Sequence, residues 1–162
     1  MNGVMAIRDH LLEELELAVR TSEALIKRIQ PGEWEYRPKD NMRTLLQLVR
    51  HLAAIPASDM AIMQEKTQQE VERTENSMQH TTDAHELAGR LRINYEELKR
   101  YIVSMNEDEL LHKATQAFYH DHGTVQIKWL IEIVTHMFHH RSQLYNYLKQ
   151  LGHELNFFML YA

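Results

Sequence analysis

A single all-α domain built as a four-helix bundle is what this sequence predicts, and three observations point to it. Apolar residues recur at spacings of three and four through four separate segments, the period of a helix with one face against a core. No segment carries a convincing strand alternation. At 162 residues the chain is the size of one domain and long enough to bury a core without staples, so residues 1–162 are read as one unit.

In the first helix, Val4, Ile7, Leu11, Leu15, Ala18, Leu25 and Ile29 form one stripe, with Ser22 at its single polar step. Pro31-Gly32 then stops it. His10 lies about 100° off the stripe and belongs to the surface. Gly32 to Asn41, with Trp34, Tyr36 and Pro38 among charges, is expected to be a loop folded back over the bundle end.

Asp40 or Asn41 is the expected cap of the second helix, whose buried face is Leu45, Leu48, Val49, Leu52, Ile55 and Met63. His51 stands at the edge of that face. Pro56 removes the hydrogen bond to the Leu52 carbonyl and is expected to kink the helix. Asp59 falls among the apolar positions, one heptad after Leu52, where a carboxylate needs a partner. Arg141, near the middle of the apolar stripe of its own helix, is the candidate; the alternative is that both side chains snorkel to water.

Residues 64–82 turn polar, with only Val71 and Met78 breaking the run. Part of the stretch is expected to extend the second helix and the rest to form a long crossover, which lets the third helix run parallel to the second. His80 and His85 receive no role. Asp83 with Glu86 makes a capping box for the third helix, which buries Leu87, Leu91, Leu98, Ile102 and Met105 and ends at Asn106-Glu107-Asp108-Glu109. Residues 110–123 show no legible pattern, and His120 and His122 are read as loop residues, not ligands. Thr124 is the expected cap of a fourth helix that reaches Gln150 and stops at Gly152. The apolar tail from Leu155 to Tyr161 is expected to pack on the bundle or on a second subunit.

The fourth helix contains His136-Met137-Phe138-His139-His140-Arg141-Ser142-Gln143-Leu144. At about 100° per residue, His136 and His140 share one face, one turn apart and within reach of a common ion, whereas His139 points elsewhere. They lie on the shoulder of the stripe formed by Leu130, Val134, Met137, Leu144 and Leu148, as His51 does on its own helix. Two readings stand at this point: metal ligands with an open side, or partly buried packing residues hydrogen-bonded to their neighbours.

Composition narrows the function. A net charge of −5 with scattered Lys and Arg argues against a nucleic-acid surface. The absence of cysteine excludes disulfides, thiolate ligands and a thiol nucleophile from the chain itself. No run of about 18 apolar residues and no basic-then-apolar start make a cytoplasmic protein, without membrane association, the expectation.

Taken in order, Tyr36-Arg37-Pro38, Val49-Arg50-His51-Leu52-Ala53, His136-x3-His140-Arg141-x-Gln143-Leu144 and Tyr147-Leu148-x2-Leu151-Gly152 resemble the DinB-like family from about Ile7 to Gly152. The resemblance implies an up-down-down-up four-helix bundle, commonly a homodimer, with a divalent metal on three histidines. By position these are His51, His136 and His140. Ser142 departs from the glycine of many relatives, but it follows the ligands and concerns helix packing. Relatives include bacillithiol S-transferases and mycothiol-dependent maleylpyruvate isomerases, and fold membership alone does not choose a reaction.

Three neutral imidazoles leave a divalent ion its full charge and an open position, enough to activate a thiol or water. Zinc or nickel is the expected ion, with a low-molecular-weight thiol as possible co-substrate. The metalloprotease pattern is excluded because Met137 stands where the general-base Glu belongs. Glu132 is either a surface residue or a group orienting a ligand, and Trp129 either walls a pocket or fills a core or dimer interface. The leading expectation is a thiol S-transferase or hydrolase acting on a small molecule. The alternatives are a metal- or small-ligand-binding bundle without turnover, or a purely structural dimer.

Overall fold

The computed structural model of the chain describes residues 3–161, and the architecture is all-α apart from one two-residue strand pair. Four long helices carry it: α1 (Gly3–Ile26), α2 (Leu45–Met63), α4 (Ala84–Val103) and α6 (Gln126–Gln150), with short α3 (Gln68–Glu75) and α5 (Glu107–His112) between them. Each long helix has two principal neighbours. α1 packs on α4 and α6, and α2 packs on the same two. The stripes read from the sequence supply the core between them, including Leu15, Leu25, Leu48, Leu52, Leu87, Leu98, Leu130 and Leu148. Arg92 of α4 ties this core's edge to α1 by ion pairs to Glu16 and Glu23. No described helix is long and apolar enough to cross a membrane.

Several boundaries differ from expectation, each for a local reason. α2 begins at Leu45 and is capped by Thr44, not by Asp40 or Asn41. Thr44 Oγ1 accepts from the Gln47 amide at 3.2 Å while Gln47 Oε1 accepts from the Thr44 amide at 2.9 Å, a reciprocal box that satisfies more free donors than a lone cap. α2 then continues through the buried Pro56 to Met63. The crossover is not extended chain. Thr67 and Glu70 form a second capping box that opens α3, and Val71 and Met78, the two apolar residues of the polar run, are its buried anchors. Asp83 caps α4 by accepting from the Glu86 amide at 2.7 Å, but Glu86 turns to the Thr81 hydroxyl instead of closing the box.

Asn106 caps α5 rather than merely ending α4. The stretch without a legible pattern forms a hairpin in which β1 (Ala114–Thr115) pairs antiparallel with β2 (Thr124–Val125), Ala114 opposite Val125. Thr124 is therefore a strand residue, and Val125 occupies the N-cap position of α6 without a side-chain bond. α6 ends before Gly152, whose φ of +92° is open to glycine and strained for other residues. The tail folds onto α1, with Leu155 and Leu160 against the core and Phe157, Phe158 and Tyr161 exposed.

Candidate metal centre

The pairing of α2 with α6 brings the histidine shoulders of both helices face to face. Leu52, Ala53 and Ile55 on one side and Ile133, Met137 and Leu144 on the other are buried, so the adjacent helical positions sit at the rim of the core. His51 and His136 are half-buried and His140 is 6% exposed. His51 Nε2 lies 3.3 Å from His136 Nε2 and 3.1 Å from His140 Nε2. One ligand nitrogen from each of the three lies within 4.8 Å of the others. Among the described residues, no other group of three or more His, Cys, Asp or Glu side chains converges in this way.

The outer nitrogens explain how the rings are held. His136 Nδ1 donates to Asp59 Oδ2 at 2.9 Å, and His140 Nδ1 donates to Gln143 Oε1 at 2.8 Å. Glu75 Oε1, from α3, stands 3.9 Å from His51 Nδ1. With Nδ1 donating to an acceptor, the neutral tautomer leaves a lone pair on Nε2 of both α6 rings. Both lone pairs are turned toward His51 Nε2, which carries at most one proton to share between them. The donor set is thus suited to one central cation. Tetrahedral metal–nitrogen bonds of about 2.0–2.1 Å place their nitrogens about 3.3 Å apart, close to the two separations observed. Acceptors behind the rings are the usual support of such ligands.

Electrostatics keep His51 and His140 in ligand form. Burial, helped by Arg43 and the two neighbouring rings, pushes His51 down to about 3. Burial also lowers His140 to about 4, against the opposing effect of its bond to Gln143. Glu75 moves the other way, raised chiefly by burial and then by the nearby Asp59 charge.

A cavity of about 290 Å³ adjoins His136 and is walled by Ile62, Tyr119, Trp129 and Ile133 together with Asp59, Glu75 and Glu132. Trp129 fills both roles considered for it. It is 4% exposed, its Nε1 donates to Thr115 Oγ1 at 3.0 Å, and one side faces this cavity. Glu132 also lines the cavity and is paired with Lys128.

The candidate Asp59–Arg141 pair does not form, nor do the two side chains simply extend to water. Asp59 faces His136, while Arg141 Nη1 donates to Thr21 Oγ1 and to the Leu160 carbonyl, each at 2.9 Å, with its guanidinium 4.5 Å from the Phe138 ring centre. His10 is exposed beside Glu13. His120 and His122 lie on the exposed hairpin loop with ring centres 4.8 Å apart and planes tilted by 39°, and neither belongs to the converging group. Sequence reasoning missed Glu75 and Tyr119, which no periodicity marks. It quoted Gln143 without a role, although a position three residues after His140 is the signal for a same-face partner.

Comparisons with known proteins agree with this fold. No curated protein matches the chain. A crystal structure of a protein assigned to the DinB family from Exiguobacterium sibiricum 255-15 is similar at 26% identity and a TM-score of 0.77, covering 92% of this chain and 94% of that one. A DinB-like protein from Bacillus subtilis shares the fold at 17% identity and TM-score 0.65, covering 90% and 93%. A protein from Streptococcus pneumoniae does so at 16% identity and TM-score 0.63, covering 88% and 90%. The family model described as DinB family matches residues 1–160, and the chain belongs to that family.

Proposed function

We propose that this protein is a metal-dependent enzyme of the thiol S-transferase or hydrolase type, acting on a small molecule at a divalent ion held by His51, His136 and His140. The observation that supports this reading is the convergence of three imidazole nitrogens beside a cavity, with acceptors behind two of the rings. An ion bound there, zinc or nickel, would supply Lewis-acid activation of a thiol or water. The chain's own residues do the rest. Asp59 and Gln143 orient the rings, Trp129, Ile62 and Ile133 exclude water from one side, and Tyr119 offers a hydroxyl at the cavity wall. With no cysteine in the chain, a thiol nucleophile comes from a co-substrate. In transfer, the sulfur–carbon bond forms as the bond to the leaving group breaks, and the thiol proton departs to solvent or to the leaving group.

Up-down-down-up topology, a homodimer and a cytoplasmic setting belong to the same proposal and are supported by family membership. The test is S-conjugation of cysteine or glutathione to 1-chloro-2,4-dinitrobenzene, and hydrolysis of small esters and amides, by zinc- or nickel-loaded protein. Turnover that requires the ion and disappears in His140→Ala is expected. Equal rates with and without the ion across both panels would overturn the enzymatic reading.

A further inference from the structure

A second cavity reaches the triad from the His51 side, and its chemistry differs from the first. It measures about 230 Å³ and is lined by Arg43 and Arg50, by the amide side chains of Gln47, Asn76 and Gln79, and by His51 and Glu75. Glu75 is common to both cavities. The His136 side presents aromatic and apolar surface with carboxylates, whereas the His51 side presents hydrogen-bond donors and two guanidinium groups beside the shared Glu75.

Neither arginine is neutralised. Among the described residues, no carboxylate lies within ion-pair distance of Arg43 or Arg50. Arg50 is nonetheless held in place, because Nε and Nη2 both donate to the Thr81 carbonyl, at 3.1 and 2.8 Å. That anchor fixes the plane of the guanidinium without cancelling its charge. Arg43 extends from the residue before the α2 cap, and its field is felt at His51, His140 and Glu75. A guanidinium fork matches the two oxygens of a carboxylate, with neutral amides as additional donors. Glu75 in the wall limits the charge that fits: a monoanionic group meets less repulsion there than a dianionic phosphate.

We propose that the cavity beside His51 is a subsite for a carboxylate of the substrate or co-substrate, held by Arg43 and Arg50. The carboxylate places the molecule's reactive end at the triad, a role that rests on the metal-centre reading, and leaves the aromatic cavity beside His136 for the second reactant. Two reactants meeting at one centre favours transfer over hydrolysis.

Succinate is the probe, with succinamide as its neutral counterpart, and binding is followed by NMR titration of the full chain with and without zinc. Metal-free protein excludes direct coordination of the probe to the ion. Wild-type protein should bind succinate in both forms and ignore succinamide, Arg43→Gln should weaken succinate at least tenfold, and Arg43→Lys should fall between. The exposed Arg43 side chain can be replaced without loss of the fold, since its backbone carbonyl, not its guanidinium, accepts from Tyr147 at 3.1 Å. Thermal unfolding of each variant checks this. Equal succinate affinity in Arg43→Gln, no binding to metal-free wild type, or tighter binding of inorganic phosphate would overturn the subsite. Zinc content measured on the same samples separates the two readings. One ion per chain without Arg43-dependent binding sinks the subsite alone, and Arg43-dependent binding in protein that takes up no zinc on reconstitution sinks the metal centre alone.

Discussion

Substitution of Asp59 separates the two things a carboxylate does behind a metal-ligating histidine, fixing the tautomer and supplying charge. Its Oδ2 accepts from His136 Nδ1 at 2.9 Å, a charge-assisted bond worth about 1.5–3 kcal/mol. Asp59→Asn keeps an acceptor oxygen, hence a neutral bond of about 1 kcal/mol, and loses the remaining ~0.5–2 kcal/mol, or roughly 2- to 30-fold in affinity. Asp59→Leu loses the whole bond, roughly 10- to 150-fold, overlapping the range typical of groups that orient metal ligands. These figures are upper bounds, because the metal-free site also enjoys part of the bond. Competition of each variant against a chromophoric zinc chelator at neutral pH measures the ratio. The expected order is wild type, then Asn, then Leu, with one zinc per chain throughout. Zinc affinity unchanged in Asp59→Leu would refute the orienting role and with it the assignment of His136 Nε2 as the inward nitrogen.

Three further outcomes follow from the same structure. His51 and His140 are depressed to about 3 and about 4 in the folded chain against about 6.5 when unfolded. The unfolded chain therefore binds more protons between these values, and the metal-free protein loses stability as pH falls from about 6.5 toward 4. The slope is about 1.4 kcal/mol per pH unit for each histidine. Urea midpoints should show this slope and a shallower one in His51→Phe/His140→Phe; identical profiles would count against the depressed values. Thr44→Ala removes the cap of α2 and should lower stability by about 1 kcal/mol, which chemical denaturation would detect. Arg141→Leu frees the Leu160 carbonyl but leaves the Thr21 hydroxyl bonded to the Leu17 carbonyl. Hydrogen exchange in the Phe157–Leu160 turn should quicken while global stability moves by less than about 1 kcal/mol; an unchanged tail would show that Arg141 does not hold it.

The helical stripes were legible in the sequence because burial on one face imposes a period of 3.6 on the residues themselves. The shoulder placement of His51, His136 and His140 followed from the same period. Periodicity fixes a residue's angle on its own helix but not which neighbour that angle meets. Asp59 was therefore recognisable as a misfit while its partner was not: Arg141 turns to Thr21 of α1, and His136 is the residue that meets Asp59. α3 escaped because an eight-residue helix with one buried position, Val71, has no stripe to detect, and Glu75 was lost with it. The two-residue strands at Ala114 and Thr124 are too short to show alternation. The Thr44–Gln47 box was present in the sequence but stood three to four residues after the equally acceptable caps Asn41 and Asp40.

The most direct test of the account is the metal content of gently purified protein, measured by elemental analysis for wild type and His51→Ala. About one divalent ion per wild-type chain and none above background in the variant is the expected result, since His51 Nε2 lies within 3.3 Å of both other ligand nitrogens. No metal in wild type even after reconstitution with zinc and nickel, or equal metal in the variant, would contradict it.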